Sequence, residues 1–138
     1  MNSPTPPTIS PRCSRAAGIG LIASYHNFEC TPDAATLDAR FAAAERAGAD
    51  VAKVAVMPKC EGDVLELLAA TSRARAALNL PLISMSMGGV GSLSRVMGWV
   101  YGSAASFAVG QRSSAPGQLS IEDLRAALAI MRKAVSGT

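Results

Sequence analysis

The sequence predicts an α/β protein made of four consecutive βα units with parallel strands. Short runs rich in valine, isoleucine and alanine alternate with longer stretches whose apolar residues recur at helical spacing. The first units follow one another at about 30 residues, the length of a strand plus a returning helix. Apolar residues make up 49% of the chain and aromatic ones only 4%, a balance that suits an alanine-rich α/β core. Parallel neighbours in one sheet need right-handed crossovers, which the helices supply. Four such units satisfy either an open doubly wound sheet or half of an eight-stranded barrel, and topology alone leaves both open.

The 138 residues suffice for one domain with a real core. Residues 1–17, with Pro4, Pro6, Pro7 and Pro11 among serines and threonines, read as a disordered leader, and residues 18–138 as the folded domain. Gly18 and Gly20 lead into a first strand over 21–26. A helix then opens at Thr31-Pro32-Asp33, with a cap followed by proline at the first helical position. Leu37, Phe41 and Ala44 share one of its faces, and Gly48 ends it.

The second strand, 51–58, is the chemical centre of the chain. A second helix follows from Gly62-Asp63, with Val64, Leu67, Leu68, Thr71 and Leu78 in period and Asn79 as its stop. The third strand covers 81–87 and closes at Gly88-Gly89; a shorter helix over 93–101 precedes a fourth strand over 104–109. Ser120, three residues before Asp123, starts the last helix in the manner of a capping box. Its buried stripe is Ile121, Leu124, Leu128, Met131 and Val135.

Several classes of function are disfavoured. The formal net charge of +3 is spread along the chain without a Lys/Arg run or interleaved aromatics, so no nucleic-acid partner is expected. No apolar stretch approaches the roughly 20 residues that span a bilayer, and no signal peptide is visible. Cys13, Cys30 and Cys60 have neither metal-site nor redox spacing and read as free thiols of a cytoplasmic protein. No metal site is expected.

Within the second strand, Lys53 stands alone in an apolar run. Side chains alternate along a strand, so Lys53, Ala55 and Met57 share one face and Val54 and Val56 the other. Burial there favours the neutral amine, whose commonest enzymatic use is a Schiff base with a carbonyl compound. A lysine that snorkels to solvent or pairs with a carboxylate fits the same run. Function in βα architectures gathers at the C-terminal ends of strands and the loops beyond. His26, Arg95, Ser114 and Gln118 fall there, and each has a structural reading too: a satisfied strand-end histidine, a solvated helix arginine, and two turn residues before the Ser120 cap. Met85 and Met87 read as core or as substrate wall. The glycines of 87–92 lack both the P-loop ending and the dinucleotide spacing, and are explained by backbone freedom.

Taken together, Ser24-Tyr25-His26-Asn27-Phe28, Lys53-Val54-Ala55-Val56-Met57-Pro58, Ser84-Met85-Ser86-Met87-Gly88, Ser94-Arg95, Gly102-Ser103-Ala104, Phe107 and Ser114-Ala115-Pro116-Gly117-Gln118 form a recognisable set. In order and spacing it resembles type I 3-dehydroquinate dehydratase, the Schiff-base dehydroquinase of the shikimate pathway. The resemblance runs from about residue 21 to the final helix and covers what looks like the C-terminal half, strands five to eight, of a TIM (β/α)8 barrel. It implies a lyase that converts 3-dehydroquinate to 3-dehydroshikimate. Lys53 would form the imine and His26 would serve as acid and base. Arg95, Ser114 and Gln118 would bind substrate, with Phe28, Met85, Met87 and Phe107 as pocket wall. No cofactor is implied. The partners implied are the small-molecule substrate and either a second copy or a complementing N-terminal half. The alternatives are a truncated, inactive remnant or interaction fragment and, more remotely, a class I Schiff-base aldolase, against which the Ser-Ala-Pro-Gly-Gln segment speaks.

Overall fold

The computed structural model describes residues 11–112 and 117–137. Three strands, β1 (Ile22–Asn27), β2 (Val51–Val56) and β3 (Leu82–Ser86), form one parallel sheet in the order β1-β2-β3. The helices are α1 (Pro11–Ala16), α2 (Ala34–Arg46), α3 (Glu61–Ala77), α4 (Gly88–Tyr101) and α5 (Ile121–Ser136). Among the described residues no helix is long and apolar enough to cross a membrane.

The core lies on one face of the sheet. Ala52, Val54, Val56 and Leu82 point from β2 and β3 into α2 and α3, where Leu37, Phe41 and Leu67 are fully buried. Each such side chain contributes about 1.5–3 kcal/mol on removal from water. Thr71 Oγ1 donates to Ser84 Oγ at 2.7 Å in this layer, whereas the buried Ser86 Oγ has no hydrogen-bond partner among the described residues.

Local chemistry adjusts several expected boundaries. Residues 11–17, assigned by composition to the leader, hold α1, whose Ser14 is buried and whose neighbour Arg15 donates to the Gly48 carbonyl. Helix α2 is capped by Asp33, which accepts from Thr36 N at 2.8 Å; Thr31 instead donates to the Met57 carbonyl. Helix α4 starts at Gly88, a full turn before the expected 93, because Gly91 lets it run against the backbone of Ser86. The Ser120 cap of α5 is as expected, accepting from Asp123 N at 3.0 Å.

The fourth strand is not formed. Only Ser103 bridges to Leu82, and 104–108 carries no ladder. The Ser103 hydroxyl accepts the Ser84 N–H at 3.0 Å, so a side chain occupies the position where backbone pairing would continue. With no strand beneath it, α5 packs chiefly on α4. Its expected stripe is therefore only partly covered: Leu124 is buried, Leu128 and Met131 are half-buried, and Ile121 and Val135 are exposed.

Candidate functional site

The parallel register stacks side chains into layers on the face opposite the core. Ser24, Lys53 and Ile83 are partners across the three strands, and His26, Ala55 and Met85 form the next layer towards the C-terminal ends. His26 and Lys53 are thus diagonal neighbours on one face. The small Ala55 beside them leaves room over the lysine.

His26, Lys53, Ala55 and Met85 line a cleft of about 160 Å³ together with Phe28, Met87, Phe107 and Gln118. Met85 and Met87 are buried and form its floor; Phe28 is exposed and Phe107 partly so. The Phe28 ring stacks on the His26 imidazole, with centroids 5.9 Å apart and planes at 6°. Partial burial, and then the charge of Lys53, hold the His26 pKa below the ordinary histidine value, so the ring is biased towards its neutral, proton-accepting form. Lys53 is half-buried, less covered than its apolar run implied, because the β1 side of this face is open. Its Nζ lies 4.5 Å from the centroid of the Phe107 ring.

Arg95 is placed differently. It is buried, and its Nη1 donates to the Phe107 carbonyl at 3.3 Å and approaches Met85 Sδ at 3.7 Å. Burial pushes its pKa down. It stands behind Met85 and Phe107, outside the walls of the Lys53 cleft, and lines a smaller cavity of about 80 Å³ with Trp99 and Arg132. The structure therefore brings together His26, Lys53, Phe28, Met85, Met87, Phe107 and Gln118, with Arg95 one layer back. Ser114 lies outside the described residues. Sequence reasoning missed Ser24, the partner of Lys53 on the open face; period-two counting back from His26 would have found it. No carboxylate is among the described side chains that line the cleft, and no group of three or more His, Cys, Asp or Glu among the described residues is arranged to hold a metal ion.

The family model described as type I 3-dehydroquinase matches residues 8–135. The chain belongs to this family. Its match begins inside the segment that composition assigned to the leader, in agreement with the position of α1. The 3-dehydroquinate dehydratase of Albidiferax ferrireducens is 56% identical over 122 residues, 88% of this chain and 46% of the relative. That of Aromatoleum aromaticum is 54% identical over 124 residues, 90% of this chain and 48% of the relative. The crystal structure of 3-dehydroquinate dehydratase from Geobacillus kaustophilus superposes with a TM-score of 0.88 at 52% identity, covering 88% of this chain and 48% of that one. The chain spans about half the length of the relatives it matches, as a run of βα units from half a barrel does.

Proposed function

We propose that the chain carries the imine-forming part of a 3-dehydroquinate dehydratase site, a lyase of the shikimate pathway. The observation that carries this reading is the diagonal pair of His26 and Lys53 over one cleft with Gln118 in its wall. The Lys53 amine, its proton given up to solvent, adds to the substrate ketone, and loss of water with uptake of a proton from solvent leaves an iminium. The iminium withdraws electrons and acidifies the neighbouring C–H. Neutral His26 takes that proton, giving an enamine. The enamine electron pair then expels the hydroxyl from the next carbon, and the imidazolium returns its proton so that water leaves. A second water hydrolyses the iminium, freeing Lys53 and 3-dehydroshikimate. One water is lost overall, and every proton taken by His26 is returned.

In this reading Gln118 and Ser114 hydrogen-bond the substrate, and Arg95, displaced towards the cleft, offers a planar fork to its carboxylate. Phe28, Met85, Met87 and Phe107 exclude water from the imine. No described side chain of the cleft offers His26 a carboxylate; in this reading one that orients the ring comes from further βα units, supplied by a longer chain, a complementing half or a second copy, closing a TIM barrel. A cytoplasmic setting agrees with Cys13, Cys30 and Cys60 forming no disulfide among the described residues.

Borohydride reduction with 3-dehydroquinate tests the proposal. One adduct should map to Lys53 and vanish in Lys53→Ala; an adduct on Lys59 or Lys133 instead overturns it. The exposed face around Phe28 and Ile22 favours a second reading, an interaction fragment without turnover, for which no adduct forms on any lysine.

A further inference from the structure

Gly117 leads directly into Gln118, which lines the cleft. Its φ of +73° is in the left-handed region, and a Cβ built on it runs into the carbonyl group of Gly88, the first residue of α4. Those are backbone atoms at a helix start and cannot swing aside as a side chain would. Gly88 is itself left-handed at φ +74°, and its own Cβ direction points to Met57 Sδ at 3.5 Å, in the segment after β2. The chain at 117 thus lies directly against the backbone at 88. The glycines nearby do not share this: a Cβ on Gly89 or on Gly110 meets nothing within 4 Å.

We propose that Gly117 is a positioning residue, whose backbone seats on that of Gly88 and so holds Gln118 in the cleft wall against a polar substrate. What Gln118 touches rests on the imine-forming reading above; the seating itself does not. Any side chain at 117 must lift the backbone from Gly88 and leave a strained φ. The disturbance should reach the two bonds just beyond, Val109 N to the Leu119 carbonyl at 2.7 Å and Ile121 N to the Val109 carbonyl at 3.1 Å.

Amide hydrogen exchange tests the seating. In Gly117→Ala, exchange at Val109 and Ile121 should quicken about tenfold or more, while Gly89→Ala and Gly110→Ala leave it unchanged. Slow exchange across β2 in the same samples reports that the fold is intact. Borohydride trapping against 3-dehydroquinate concentration tests the route through Gln118. Gly117→Ala should raise the half-saturating concentration about tenfold, as should Gln118→Ala, and the double variant should be no worse than Gln118→Ala alone. Unchanged exchange in Gly117→Ala overturns the seating, and an additive loss in the double variant overturns positioning through Gln118. Absence of any Lys53 adduct in the unaltered chain overturns the imine reading alone, and exchange then decides the seating.

Discussion

The Nζ of Lys53 lies over the Phe107 ring at 4.5 Å from its centroid, across the mouth of the cleft. A cation over an aromatic face is held by about 0.5–1 kcal/mol at partly exposed sites. Phe107→Leu removes a contact that favours the ammonium over the attacking amine, so it should quicken imine trapping at subsaturating 3-dehydroquinate about two- to fivefold, while Phe107→Tyr keeps the rate. Equal trapping in Phe107→Leu would mean that the ring does not hold the lysine.

His26 should act after the imine has formed. In any assembly that turns over, His26→Ala should lower turnover by about 10²–10⁴-fold, the usual contribution of a positioned acid or base. Single-turnover trapping of Lys53 should change far less. Normal turnover in this variant would return His26 to a structural role.

The pH dependence follows from the direction of the His26 shift. Its folded pKa lies below the ordinary 6.5, first through partial burial and then through the Lys53 charge. The neutral base therefore persists at neutral pH, and proton abstraction falls only as pH drops through the lowered value. The linked stability has the same sign: it is fully present above 6.5 and is lost as pH falls through the folded pKa. An NMR titration should place the midpoint below 6.5, and Lys53→Met should raise it only part of the way back, since burial is the larger cause. Full return in Lys53→Met would reverse that ranking.

Ser103 takes the place of a missing ladder partner, and its removal should be costly. Ser103→Ala leaves the buried Ser84 N–H without its acceptor, a loss of about 1–3 kcal/mol. Urea denaturation should show a lower midpoint with an unchanged slope.

The 138-residue chain on its own should self-associate. Ile19, Ile22 and Phe28 are 62%, 51% and 65% exposed, and β1 offers one unpaired edge beside them. Without an orienting carboxylate the site should also turn over poorly; loss of one such group costs about 10⁴-fold in a serine protease. Sizing chromatography with an assay at saturating 3-dehydroquinate checks both points. A monomer turning over at about 1–10³ per second would overturn them.

Much of this architecture was legible from periodicity. Leu37, Phe41 and Ala44 keep helical spacing and are the buried face of α2; Lys53 and Ala55 alternate with Val54 and Val56 as expected. The first turn of α4 was hidden because Gly88, Gly89 and Gly91 resemble a loop, whereas the helix needs Gly91 for its approach to β3. The run 104–109 is apolar enough for a strand, but strand formation depends on neighbours that its composition does not report. For the site, the gathering of function at strand C-terminal ends put His26 on one rim with Lys53, and the parallel register shows that they share a face. The depth of Arg95 was not readable, since spacing along a helix does not say how far a long side chain is drawn beneath its neighbours.

The order β1-β2-β3 also ranks the strands by how readily each can open. β2 alone has a full ladder on both sides, so it cannot leave the sheet without breaking two sets of bonds, while β1 can peel away by losing one. Local unfolding therefore reaches the strand that carries Lys53 last, after the edge strands β1 and β3. Lys53 is anchored in the innermost part of the sheet and His26 at its rim. In a transient opening of β1 the Lys53 amine keeps its place while the His26 imidazole is withdrawn. If Lys53 forms the imine proposed above, its adduct should outlast brief losses of His26.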